Sequence, residues 1–80
     1  MNATDAQDVK NLLLHDSDQY RQLVEQHHQL DSRLHQLHDK QYLSTPEHLE
    51  EVTLKKRKLA LKDRMEEMAR EYMHAHSRAS

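Results

Sequence analysis

Residues 45–72 read TPEHLEEVTLKKRKLALKDRMEEMAREY. Within them Leu54, Leu61, Met65, Met68 and Tyr72 recur at steps of three and four, with a gap at Lys58. On a helix of 3.6 residues per turn these side chains fall within about 60° of one another and form one apolar seam. A helix with a single apolar stripe is only marginally stable alone in water, so the seam needs a partner. Upstream, Tyr20, Leu23, His27, Leu30, Leu34, Leu37 and Gln41 alternate at spacings of three and four without a break, the heptad signature of a second helix. Between the two, Pro46 cannot continue a preceding helix. Either Thr45 with Pro46, or Ser44 with Glu47 as a capping box, restarts the chain.

If the chain turns near residues 42–45, facing residues keep a nearly constant sum of residue numbers. Leu37 with Leu54, Leu30 with Leu61 and Leu23 with Met68 share one sum. Leu34 with Lys58, His27 with Met65 and Tyr20 with Tyr72 share a sum one higher. Two independent periodicities that match layer by layer predict an all-α fold: an antiparallel, coiled-coil-like two-helix hairpin. Lys58 is the one misfit, and its aliphatic stem can cover Leu34 while the ammonium reaches water. The expected organisation is a short N-terminal helix or mobile arm at 1–16, a hairpin at 17–76 and a disordered tail at 77–80. The hairpin divides into a helix from a Ser17 N-cap to about 41, a turn at about 42–45 and a helix at about 46–74. The arm opens with Thr4 and Gln7, a capping-box pattern, and sets Val9, Leu12 and Leu13 on one face.

Eighty residues allow one domain with a thin core, so outside help is expected. With no Gly and one Pro, the residues that tight turns and phosphate-cradling loops rely on are missing. Charged residues make up 32% of the chain and apolar ones 35%, which suits long solvated helices. There is no Cys, hence no disulfide, no thiolate nucleophile and no Cys-based metal centre. The N-terminal MNATDAQD is acidic, without an apolar core of the signal-peptide kind, and no run is long enough to span a membrane. A cytoplasmic protein without membrane contact is expected. The net charge of −2 gives no general attraction to nucleic acid.

The order Tyr20, Leu23, His27, Leu30, Leu34, Leu37, then a turn, then LKKRKLALKDRM at 54–65, resembles the YdcH-like family of small bacterial helical-hairpin proteins of unknown function. The likeness covers roughly residues 17–70, and Leu-Lys-Lys followed by Leu-x-Leu-Lys-Asp is its most specific part. His27 stands where members of that family typically carry an aromatic. The resemblance implies a bacterial cytoplasmic protein and supplies no catalytic or binding residues.

Leu49, Val52 and Leu59 form a second apolar stripe roughly opposite the first seam on the same helix. A hairpin buries only one of these faces. Residues 1–14 could fold back over the stripe through Val9, Leu12 and Leu13; the expectation carried forward is self-association into a homo-oligomer, with Val24 widening an interface beside the first seam. An unidentified protein partner is the third occupant. The only basic cluster is Lys55, Lys56, Arg57 and Lys58, followed by Lys62 and Arg64. Consecutive helical residues point about 100° apart, Glu51 precedes Lys55 at the favourable i to i+4 spacing, and no aromatic is interleaved for stacking. A solvated, salt-bridged face is therefore expected there, with a nucleic-acid-associated regulator as the alternative function.

Asp31, His35 and His38 share one helical face at a spacing that could hold a divalent ion, a weak pattern in a chain with eight histidines. No metal or other cofactor is expected. His27 falls in a core layer, where burial disfavours the charged imidazole, so acidification should weaken the hairpin. A nucleophile would have to be one of a few Ser or Thr at helix ends, with no facing His and Asp, and Glu66 with Glu67 lie on a solvated face, so enzymatic activity is not expected. The expected function is interaction or self-assembly by a small helical protein.

Overall fold

The computed structural model describes residues 6–79, with the side chains of 6 and 76–79 outside the description. The Thr4 capping box, Ser80 and the His76 side chain therefore lie outside the described residues. Three helices follow one another: α1 at Ala6–Asp16, α2 at Asp18–His38 and α3 at Thr45–Ala79. At 1.5 Å per residue the 35 residues of α3 span about 52 Å, close to the 54 Å long axis of the molecule. The longest helix therefore sets the length, and α1 and α2 pack along it.

Ser17 alone separates α1 from α2, and it serves both. Its backbone N–H donates to the Leu13 carbonyl at 2.9 Å, and its Oγ accepts from the Tyr20 N–H at 3.1 Å as the N-cap of α2. Arg21 Nη1 then donates to the carbonyls of Leu14 and His15, both at 2.8 Å. One side chain thus satisfies two of the orphan acceptors at the end of α1. α2 ends at His38, short of the expected Gln41: the Asp39 N–H bonds back to His35 at 3.1 Å and the Lys40 N–H to Leu37 at 3.2 Å. That tightened turn frees Leu43 to pack on the Leu34, Leu37 and Leu54 cluster, which a continued helix would forbid. α3 starts with the Ser44 alternative. The Glu47 N–H donates to Ser44 Oγ at 3.2 Å, and the Ser44 N–H donates to Glu47 Oε1 at 2.9 Å, a reciprocal capping box. At its far end α3 runs on to Ala79, past the expected end near 74 and through residues expected to be disordered. No Gly or Pro is there to stop it.

α2 and α3 lie against each other. Lys40 pairs with Glu47, Arg33 with Glu50 and Asp31 with Lys58, so positions descend along α2 as they climb along α3 and the helices run antiparallel. Two buried clusters hold them. Near the connection, Leu34, Leu37 and Leu54 pack with the partly buried Leu30 and Leu43. At the other end, Val9 and Leu13 of α1, Tyr20 of α2 and Ala69 of α3 pack with Val24, Met65, Met68, Tyr72 and Met73. Ala69 is the only α3 residue in that buried set, and its methyl is small enough to let a third helix approach. Burial pushes the Tyr20 phenol above its ordinary pKa. Between the clusters, Leu23, His27 and Leu61 are only half-buried.

Candidate interaction surfaces

The second stripe stays uncovered. Leu49, Val52 and Leu59 are 66%, 51% and 59% exposed. α1 does not fold over them, because Val9 and Leu13 are engaged with Tyr20 and Ala69 on a different face. α3 thus carries a buried seam toward α2 and an apolar stripe toward solvent.

The edges of the α2–α3 pair are stitched by charge. Arg33 grips Glu50 with two hydrogen bonds, Nε to Oε2 at 3.0 Å and Nη2 to Oε1 at 2.8 Å, the fork-on-fork geometry that suits guanidinium and carboxylate. Its Nη1 also donates to Gln36 Oε1 at 3.2 Å. Glu50 is held below, and Arg33 above, its ordinary pKa, each chiefly by its hydrogen bond to the other. Lys40 and the Ser44 cap together lower Glu47 from 4.5 to about 2. Lys58 lowers Asp31 in the same way. Glu51 lies 3.3 Å from His38 and 3.6 Å from Lys55.

These pairs set the acid sensitivity. A carboxylate whose folded pKa is depressed stabilises the fold above its unfolded pKa and loses that contribution as the pH falls through the folded value. For Glu47 the window runs from 4.5 down to about 2. The melting temperature is expected to fall across that window. In Glu47→Gln, which keeps the capping geometry and loses the charge, the fall should be shallower and the neutral-pH melting temperature lower. An equally steep acid limb in Glu47→Gln, followed by circular dichroism, would refute the assignment. His27 lacks the dry layer expected for it: its half-buried ring lines an open cleft with Lys10, Lys58, Lys62, Met65 and Glu66.

The basic cluster separates into two flanks. Lys55, Lys58 and Lys62 line one cleft with His35, His38, Asp31 and Leu59. Arg57 and Arg64 line another, on the opposite flank, with Leu23, Leu30 and Leu61. On the first flank Lys55 and Lys58 are already paired, to Glu51 and Asp31, and Lys58 shares the cleft with Leu34, the residue its stem was expected to cover. Asp31, His35 and His38 do line one cleft, yet among the described residues no three His, Asp or Glu gather to hold a metal ion. Seam residues Tyr20, Leu34, Leu37 and Leu54 are buried, while Leu30, Met65, Met68 and Tyr72 pack around them half-buried. Ala69 and the docking place of Val9 and Leu13 are what periodicity misses. The one available signal is that Ala69 sits four residues after Met65 and three before Tyr72, on the margin of the seam.

Among the described residues the geometry is all-α, three helices built on one long one, with charge-stitched edges and a bare apolar stripe. Among the described residues no helix is long and apolar enough to cross a membrane. The chain belongs to the DUF465 family of proteins of unknown function, whose model matches residues 21–69. That span takes in the α2–α3 contacts from Asp31 to Lys58, the Leu49 to Leu59 stripe and the Arg57 flank, and leaves α1 outside. No curated protein and no solved structure matches the chain.

Proposed function

We propose that this chain is a helical-hairpin protein of the YdcH-like kind within its family, acting in a bacterial cytoplasm by self-association and protein contact, without catalysis. The observation that carries the reading is the stripe of Leu49, Val52 and Leu59, each more than half exposed, with Leu59 at the edge of the cleft that His35 and His38 of α2 also line. Scattered surface leucines are ordinary; three large apolar side chains aligned on one face of a helix are not. A second copy is the occupant that suits them. Two α3 helices paired antiparallel about a point near Leu54 bring Leu49 of one copy against Leu59 of the other, and by symmetry the reverse. Lys56 then lies over Val52, where its stem adds apolar cover. Such an isologous contact closes on itself, and it supplies the buried area that a two-cluster core lacks.

Light scattering across a wide concentration range tests this. The wild type is expected to be a dimer or larger and Leu59→Glu a folded monomer with unchanged helicity. A monomeric wild type at every concentration, or an oligomer indifferent to Leu59→Glu, overturns the proposal.

A further inference from the structure

The α2–α3 seam is unfinished in the middle, and the gap has a chemical character. Leu34, Leu37 and Leu54 are buried near the connection, and Tyr20 and Ala69 at the far end. Between them Leu23, Leu30 and Leu61 are left half-buried on the floor of an open cleft of about 450 Å³, whose α3 wall is cut down to the methyl of Ala60. Gln26 and Gln29 of α2 line one side and Arg57 and Arg64 of α3 the other. Among the described residues no carboxylate lines it; Arg64 Nη1 is paired with Glu67 at 3.1 Å one turn further along α3, so a carboxylate entering the cleft shares Arg64 with Glu67 and meets Arg57 directly. The opposite flank of the same seam differs. There α1 brings Lys10 beside Glu66, Ala69 and Met73, so a third helix already sits against α2 and α3.

We infer that this cleft docks an acidic amphipathic helix of a partner protein, one that places leucine-like side chains on Leu23, Leu30 and Leu61 and carboxylates beside Arg57 and Arg64. A groove between two packed helices takes a third by the ridge-and-groove packing that α1 displays on the other flank. Arg57 and Arg64 are seven residues apart, two helical turns or about 10 Å, so both meet acids that repeat every seventh position of the added helix. Flanking charges of this kind select the partner and its orientation, while the apolar floor supplies the affinity. The inference is independent of the self-association stripe, none of whose residues lines this cleft.

The test uses the full chain and two synthetic three-heptad peptides with leucine at a and d. One carries glutamate at e and g, the other lysine, so that like charges keep each peptide from pairing with itself. The glutamate peptide is expected to bind and to shift the methyl resonances of Leu23, Leu30 and Leu61. In Arg57→Glu, which leaves the Arg64–Glu67 pair intact, affinity for it should fall about tenfold and preference should pass to the lysine peptide, with circular dichroism unchanged. Equal binding of the glutamate peptide by wild type and reversed variant overturns the inference. So does binding that shifts Leu49, Val52 and Leu59 instead, which would place the peptide on the self-association stripe. If dodecanoate shifts the cleft methyls and the peptide does not, the cleft belongs to a small amphipathic anion and the helix-docking inference fails.

Discussion

Leu37→Ala is expected to remove most of the stability of this protein. Leu37 is fully buried between Leu34 and Leu54, and truncating a buried leucine costs about 2 to 5 kcal/mol, the transfer term plus the cavity left behind. Domains as a rule hold only about 5 to 15 kcal/mol in all. A small core sits at the lower end of that range, so one cavity of this kind consumes much of the margin. The surroundings offer little to collapse into it: the cluster has three buried members, and Leu43 is held by the short connection. The measurement is chemical denaturation followed by circular dichroism. Leu37→Met, which keeps the volume, should cost under about 1.5 kcal/mol. A Leu37→Ala protein within 1 kcal/mol of wild type would mean that this cluster does not hold α2 to α3.

Val9→Asp is expected to release α1 and leave α2 and α3 paired. Val9 is fully buried against Leu13, Tyr20 and Ala69. An unpaired carboxylate there costs more than the docking of α1 returns, so the helix leaves rather than burying the charge. Freed, α1 has 11 residues, too few to persist alone in water. Helicity should drop by about that length, while the α2–α3 contacts near the connection survive. Tyr20 provides a local probe: burial raises its phenol pKa, and loss of α1 exposes the ring, so an alkaline titration should show it moving back down toward 10.0. Val9→Asp with full helicity and an unmoved Tyr20 titration would show that α1 is not docked through Val9.

The parts of this structure that could be read ahead of time are those fixed by short repeating distances. Tyr20, Leu34, Leu37 and Leu54 follow from spacings of three and four, and Ser17 and Ser44 from local capping chemistry. Arg33 gripping Glu50 depends on the register of two helices, which the matching layers constrain to a residue or two and not to a hydrogen bond. Ala69 was invisible because a methyl carries almost no periodic signal; its burial becomes evident only when α1 arrives. α2 stops at His38 although Gln41 continues the heptad, and Leu43, two residues later, leaves the helix and joins the cluster. The basic cluster adds a longer-range regularity. Neighbours Lys55 to Lys58 do scatter around the axis, but Lys55, Lys58 and Lys62 realign at helical spacing, as do Arg57 and Arg64. Of the candidate surfaces, the Leu49, Val52 and Leu59 stripe was legible, and the Arg57 cleft was not, because it exists only where half-buried α2 leucines meet a small Ala60.

The separation of the core into two clusters also sets an order of assembly. Leu37 and Leu54 close a short loop around the connection, and the Ser44–Glu47 cap forms inside that loop. Val9 and Ala69 close a loop that contains about three quarters of the chain. Chain entropy penalises the second closure more than the first when each is made from the unfolded chain. Once the helices have zipped outward from the connection, only Ser17 separates α1 from its seat, and the long closure has in effect been prepaid. Leu37→Ala is therefore expected to slow folding, and Val9→Asp to speed the release of the last helix, both read by stopped-flow circular dichroism.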